Sequence, residues 1–144
     1  MKWFLIPALL LLMGSMNAQT KLPRMTMLEG FSSTKFQVGE NTLSRRDAFA
    51  YLEKNKNSTA EAYALFMKGN QQNTASWLWL ATACIGGGLM IYGIAAVDKG
   101  ITSAPGLTGA GIFVIGTTAA LISSSSATRN YKRAVGSYNR FAGY

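Results

Sequence analysis

Two long apolar stretches dominate the C-terminal half of the chain. The first, Ala75–Val97, contains no charged residue, and its roughly 23 residues would form a helix about 35 Å long. That length is sufficient to cross a hydrocarbon layer about 30 Å thick. Trp77 and Trp79 lie near its start, where membrane helices carry an aromatic belt. We therefore predict a membrane-spanning helix over this stretch.

The second stretch, Ile101–Ala127, is less apolar than the first. Its most apolar part, Ile112–Ile122, is interrupted by Gly and Thr, and a run of four serines follows it. We predict a second membrane span here, one that depends on packing against the first. Asp98 and Lys99 lie between the two spans and are interpreted as a solvated turn.

Small residues recur at seven-residue intervals in both spans, which places each set on one helix face. The sets are Gly86, Gly93 and Gly100 in the first span, and Gly109, Gly116 and Ser123 in the second, with Ala120 one turn after Gly116. Helices in lipid associate through close backbone contact at such residues, because no hydrophobic effect drives them together. We predict an antiparallel hairpin packed along Gly86, Gly93, Gly109, Gly116 and Ala120. Glycine-mediated assembly of several copies is the alternative.

Residues 1–18 have the pattern of a secretory signal peptide. Lys2 provides the basic start, and Trp3–Met13 provides an apolar segment of about eleven residues, too short for a comfortable membrane span. Small residues precede the expected cleavage site between Ala18 and Gln19. An uncleaved N-terminal anchor is the alternative interpretation.

Residues 19–74 are predicted to be an extracytoplasmic region with two short helices. Gln19–Phe31 has no clear periodicity and is interpreted as an extended leader, while Lys35–Val38 alternates polar and apolar residues, as in a short strand ending at Gly39. Two capping-box spacings then begin helices: Ser44 with Asp47 before Arg45–Lys54, and Ser58 with Glu61 before a helix that runs to Lys68. Gly69 is expected to end the second helix, and residues 69–74 to form a polar joint.

Residues 128–144 form a basic, aromatic tail without Asp or Glu. Tyr131, Ala134, Val135 and Tyr138 have the i, i+3, i+4, i+7 spacing of an amphipathic helix. We expect this segment to lie in the lipid headgroup region or to continue the preceding helix. The residues predicted to contact headgroups are Arg129, Lys132, Arg133 and Arg140. The whole chain is thus predicted to be all-α: a short soluble helical hairpin, a membrane hairpin over residues 75–127 and the amphipathic tail.

The net charge of +8 does not by itself favour nucleic-acid binding. The basic pairs Arg45-Arg46 and Lys132-Arg133 are separated by both apolar stretches, whereas a nucleic-acid site needs its basic residues on one face or arm. Attraction to anionic lipid headgroups is the simpler explanation of the positive charge. We therefore predict membrane lipid, and not nucleic acid, as a partner.

Residue types that form common catalytic sites are scarce. The sequence has no His and a single Cys, Cys84, and its six acidic residues show no ligand spacing. Hydrolysis by Ser or Cys requires a His or a comparable base, and metal catalysis requires His, Cys or clustered carboxylates. We predict a non-enzymatic protein without cofactor or metal, and we interpret Cys84 as a small residue in a helix contact.

The two signals of membrane orientation conflict. A cleaved signal peptide would place residues 19–74 and the tail outside the cytoplasm, whereas the positive-inside rule would keep the basic tail in the cytoplasm. We give precedence to the signal peptide and expect export to the cell envelope. The hairpin would then lie in the inner or the outer membrane.

Several short motifs accompany this layout: Gly39, Ser44 and Leu52 around the first helix, Ala62-Tyr63 in the second, and Ala134-Val135 and Tyr138-Asn139 in the tail. Over Phe36–Asn139 the chain resembles an uncharacterised group of small exported proteins of diderm bacteria that have two Gly-rich spans. The resemblance implies an architecture and export, and no activity.

We predict that the chain acts as a scaffold or an accessory subunit of a larger envelope assembly. Its partner is expected to be a second copy or another envelope protein. Tyr63, Phe66 and Met67 are candidate partner contacts, with packing against the neighbouring short helix as the alternative. Two other functions stay open: a self-assembling glycine-zipper oligomer that perturbs or permeabilises membrane, and a soluble helical protein with the Gly-rich helices in its core.

Overall fold

The structure, a computed structural model, describes residues 22–29, 34–96 and 100–144. Its elements are β1 (Met25–Glu29), β2 (Thr34–Val38), β3 (Asn41–Leu43), α1 (Arg45–Lys54), α2 (Ala60–Ala96) and α3 (Ala104–Phe141), with a 3₁₀ turn at Gly100–Thr102. The described chain is therefore mostly helical, and α2 and α3 form a long antiparallel pair. The predicted signal peptide and the turn at Asp98 and Lys99 lie outside the described residues.

The three strands form an antiparallel sheet in the order β1-β2-β3. The prediction of a purely all-α fold is wrong in this respect, although the strand expected near Lys35–Val38 is confirmed. Met25, Phe36 and Val38 alternate with exposed or half-buried neighbours and turn their side chains into the core. β1 falls within the predicted leader Gln19–Phe31, whose apolar alternation is too short to be recognised without its partner strand.

α1 forms as the capping spacing predicted. The Ser44 hydroxyl accepts a hydrogen bond from the Asp47 backbone N–H at 3.2 Å and donates one to Asp47 Oδ2 at 2.6 Å. The helix ends at Asn55, whose side-chain amide donates to the Tyr51 carbonyl at 2.8 Å. Ala48 and Leu52, one turn apart, are fully buried and fix α1 on the core.

The predicted end of the second short helix at Gly69 is wrong, because α2 continues through it without interruption. Gly69 is buried against the ring of Tyr131 on α3, and a methyl group there would lie 2.7 Å from Tyr131 Cε1. Asn70 and Gln72 also bond to side chains of α3. These contacts offset the roughly 1 kcal/mol that a glycine costs in a helix interior.

One small core unites the sheet, α1 and the first turns of α2 with the last turns of α3. It contains Met25, Phe36, Val38, Ala48, Leu52, Ala62, Phe66, Ala127, Tyr131, Ala134, Tyr138 and Ala142. We call this unit the head; it comprises the described residues up to Thr74 and residues 127–144. The rest of the helix pair, residues 75–96 and 104–126, is called the hairpin. The predicted tail is thus the final part of α3, and its apolar side faces the head core.

Asn139 and Tyr138 join the end of α3 to the first strand. The Asn139 amide accepts from the Met25 N–H at 2.9 Å and donates to the Met25 carbonyl at 2.7 Å. The Tyr138 hydroxyl donates to the Pro23 carbonyl at 3.0 Å and lies 2.9 Å from the Tyr51 hydroxyl. The segments before and after the hairpin in sequence therefore form one head. Both segments must lie on the same side of any membrane that the hairpin spans.

Replacing Asn139 by Ala should loosen β1. The substitution removes both bonds to Met25, whose side chain is fully buried, and should destabilise the head by about 1–3 kcal/mol. Hydrogen exchange at the β1 amides should accelerate accordingly. Gly136→Ala is the matched control on the same helix, because a methyl group there meets no described atom within 4 Å beyond the adjacent backbone of its own helix. Equal exchange in the two variants would contradict the role of Asn139.

Candidate membrane hairpin

The hairpin exposes a continuous apolar surface. Among the described residues, α2 and α3 are the two helices long and apolar enough to cross a membrane, and only 17% and 22% of their most apolar windows are buried. Nine large apolar side chains are 60% to 72% exposed: Trp77, Leu78, Ile85, Ile91, Leu107, Val114, Ile115, Leu121 and Ile122. A monomeric soluble protein rarely exposes a patch of this extent, so the surface requires an apolar environment or a partner.

The inner faces of the two helices meet through glycine. A methyl group on Gly86 would lie 2.5 Å from Phe113 N, and one on Gly116 would lie 2.7 Å from Ala83 N. A methyl group on Gly109 would clash with Met90 N in the same way. The contacted atoms are backbone atoms, which cannot move aside as the end of a side chain can. The predicted antiparallel packing along the glycine faces is therefore present over this stretch.

The same face continues toward both ends of the hairpin. A methyl group on Gly93 would lie 2.5 Å from the Cα of Gly106, and Ala120 is only 7% exposed. Ser103 caps α3 by accepting from Gly106 N at 3.2 Å, and its hydroxyl reaches the Gly93 carbonyl at 3.4 Å. Gly100, predicted on the same row, instead lies in the turn with a φ of 55°.

Polar side chains of the hairpin bond to backbone carbonyls. Ser76 donates to the Ala120 carbonyl of the opposite helix at 3.0 Å, and Thr82 and Thr117 donate one turn back along their own helices. Such bonds remove the free-energy cost of placing a hydroxyl in hydrocarbon. Cys84, interpreted from the sequence as a small residue in a helix contact, is exposed and lies outside the contact between α2 and α3.

A polar layer lies where the hairpin joins the head. Asn130 donates to Gln72 Oε1 at 2.6 Å, and the Tyr131 hydroxyl donates to Asn70 Oδ1 at 2.8 Å. Burial raises the pKa of the Tyr131 hydroxyl, an effect that the nearby Arg45 guanidinium opposes in part. Tyr131 consequently stays neutral at physiological pH and keeps its proton for Asn70.

The three predicted partner contacts have different environments. Phe66 is fully buried, with its ring centre 4.9 Å from that of Phe36, so it is not available to a partner. Tyr63 is half-buried and stacks on Phe49 of α1 at 5.3 Å, as the alternative of packing against the short helix expects. Met67 is 42% exposed and is the member of this trio that a partner can reach.

The four basic residues predicted to contact headgroups all lie in the head part of α3. Lys132 forms an ion pair with Glu29 at 2.7 Å, and Arg140 lies 3.7 Å from Glu61; Arg129 and Arg133 are exposed. Glu61 also accepts from the Ser137 hydroxyl at 2.7 Å, so it joins α2 to α3. The sequence suggested that Glu61 caps the start of α2, whereas in the structure its carboxylate bonds to α3.

Bulky residues at the packed glycines should open the hairpin. Gly86→Leu and Gly109→Leu force backbone apart from backbone, and each should cost at least about 1–3 kcal/mol, the range for overpacked cores. Thermal unfolding of the purified chain in mild detergent measures this loss. Gly88→Leu and Gly111→Leu are matched controls, because a methyl group at either position meets no described atom within 4 Å beyond the adjacent backbone of its own helix. Equal unfolding temperatures across the four variants would contradict the packing.

Within the described residues, no group of three or more His, Cys, Asp or Glu side chains is arranged to hold a metal ion. No protein-family model, curated protein or solved structure matches the chain.

Proposed function

We propose that this chain is a non-enzymatic membrane protein of the cell envelope, whose head acts as a scaffold or an accessory subunit of a larger assembly. The observation that carries the proposal is the apolar surface that encircles the hairpin while the head keeps a core of its own. A lipid bilayer covers such a surface without any further protein.

The distribution of apolar side chains argues against the soluble alternative. A soluble protein with Gly-rich core helices needs other elements to cover Ile85, Ile115 and Leu121, and the described residues contain none over the hairpin. Leaving such side chains in water costs about 1.5–3 kcal/mol each. Insertion into a bilayer removes that cost.

The continuity of α2 and α3 supports the scaffold role. Helices of 37 and 38 residues pass from the hairpin into the head without a hinge. The head is therefore held at a fixed height and orientation above the membrane. A subunit that positions a partner beside a bilayer needs this property, and Met67 offers an exposed apolar contact on the head.

The head is proposed to face the extracytoplasmic side. The predicted signal peptide directs residues 19–74 there, and the shared core requires the end of α3 to accompany them. The basic residues of the head oppose this orientation in an inner membrane. The signal peptide and the positive-inside rule no longer conflict when the hairpin passes on to another envelope layer.

The packed glycines favour this function over a glycine-zipper oligomer. Gly86, Gly109 and Gly116 are occupied within one chain, which leaves them unavailable to a second copy. An oligomer would have to use the outward-facing Gly88 and Gly111. Crosslinked higher-order bands that disappear in Gly88→Leu and Gly111→Leu, with the hairpin intact, would support the oligomer and overturn the proposal.

Membrane insertion is tested first by fractionation and by the single cysteine. The protein should sediment with inner or outer membranes and resist alkaline carbonate extraction. Cys84 lies about 14 Å along α2 from Ala75, near the middle of the proposed span. A water-soluble maleimide should therefore label it only after detergent is added, although the side chain is exposed in the protein itself.

A Ser58→Cys, Cys84→Ser variant is the control for labelling, because Ser58 is exposed in the head. It should react without detergent, and in spheroplasts it reports whether the head is outside. Rapid labelling of Cys84 in the absence of detergent, together with release by carbonate, would show a soluble protein.

The scaffold role predicts a complex that depends on Met67. After mild solubilisation the chain should migrate in an assembly larger than a single copy in a micelle. Met67→Glu should reduce that size by placing a charge in the apolar contact, whereas Ser58→Glu on the same head should not. Unchanged size in both variants would exclude Met67 as the contact.

A further inference from the structure

An open groove of about 1060 Å³ separates the sheet and the start of α1 from the two long helices. Asn70, Asn73 and Thr74 of α2 line one wall together with Ser124 and Thr128 of α3. These residues belong to the polar layer where the hairpin joins the head. The helix wall of the groove is therefore polar, and the groove opens at the border between the two parts of the molecule.

The position of the groove along the helices fixes its depth in a membrane. Trp77 lines its lower edge, and the exposed apolar surface of the hairpin begins at the same level. Trp residues favour the boundary between hydrocarbon and headgroups. If the hairpin spans a bilayer as proposed above, the groove opens at the height of the lipid phosphates.

The opposite wall is basic. Lys35, Arg45 and Arg46 line it, and among the described residues none of the three is in an ion pair. The one carboxylate in the groove, Glu29, is paired with Lys132 at 2.7 Å. Arg45 lies beside the Tyr131 hydroxyl, which bonds to Asn70 of the helix wall. The groove thus carries uncompensated positive charge beside neutral hydrogen-bonding groups.

We propose that this groove binds the headgroup of an anionic phospholipid, an inference that rests on the membrane location proposed above. Arg45, Arg46 and Lys35 hold the phosphate, since guanidinium groups match its oxygens in charge and geometry. Asn73 and Thr128 hydrogen-bond to the polar part of the headgroup. The acyl chains continue past Trp77 along the apolar surface of the hairpin.

The surroundings of the groove favour a lipid over a soluble phosphate. A soluble ligand needs no apolar surface next to its phosphate site, whereas a phospholipid needs both within a few ångströms. Trp77 and Leu78, directly below the polar residues, are 65% and 67% exposed. The site also differs from general attraction of basic residues to a charged surface, because its three basic groups line one wall of a single cavity.

The test is a titration of the purified full chain in a neutral detergent, followed by tryptophan fluorescence, since Trp77 lines the groove. The probes are short-chain phosphatidylglycerol, short-chain phosphatidylcholine and inorganic phosphate. Phosphatidylglycerol should bind at least tenfold more tightly than either of the others. Arg45→Gln with Arg46→Gln should weaken that binding by about tenfold or more, as expected for two charges near a phosphate.

Lys54→Gln with Lys56→Gln is the matched control, because it removes two charges from the far end of α1 and should leave the affinity unchanged. Arg46→Gln with Lys35→Gln is a second groove variant that keeps Arg45 on Tyr131, in case the first fails to fold. Equal binding of phosphatidylcholine, or equal losses in control and groove variants, would overturn the proposal. Equal binding of inorganic phosphate would assign the groove to a soluble anion. The titration does not require a bilayer, so its failure is distinct from failure of the carbonate test.

Discussion

The close backbone contact between α2 and α3 at their glycines determines the rest of the structure. Gly86, Gly109 and Gly116 bring backbone against backbone, so the register of the two helices has little freedom. That register carries upward into the head, where it sets Tyr131 on Gly69 and Ser137 on Glu61. The head core is completed only because the two helices arrive there in this alignment.

Much of this arrangement is visible in the sequence because it depends on local or periodic patterns. The cap at Ser44 and the extent of α1 follow from residues a few positions apart. The hairpin follows from two long apolar stretches and the spacing of their glycines. Such signals need no knowledge of distant parts of the chain.

The features that the sequence did not predict all depend on distant contacts. A glycine followed by polar residues ordinarily ends a helix, and Gly69 continues one only because Tyr131 occupies the space beside it. β1 requires β2 on one edge and Asn139 on the other, 114 residues away. The basic groove is assembled from β2, α1 and both long helices, so its residues share no motif. The sequence places Phe66 on one face of a helix, which made it a candidate partner contact. Helical spacing does not show that distant parts of the chain cover that face, and in the structure Phe66 is buried.

The bonds between Asn139 and Met25 have a consequence for biosynthesis. Asn139 is translated after the hairpin parts of both helices, so the head cannot close while the hairpin is still being made. The sheet and α1 must wait with Met25 and Phe36 uncovered, a state in which unpaired strands are prone to aggregate. Completion of the head therefore reports that both helices have been synthesised and have paired in the correct order. A partner that recognises the finished head would thereby be recruited only to chains whose helices are already in place.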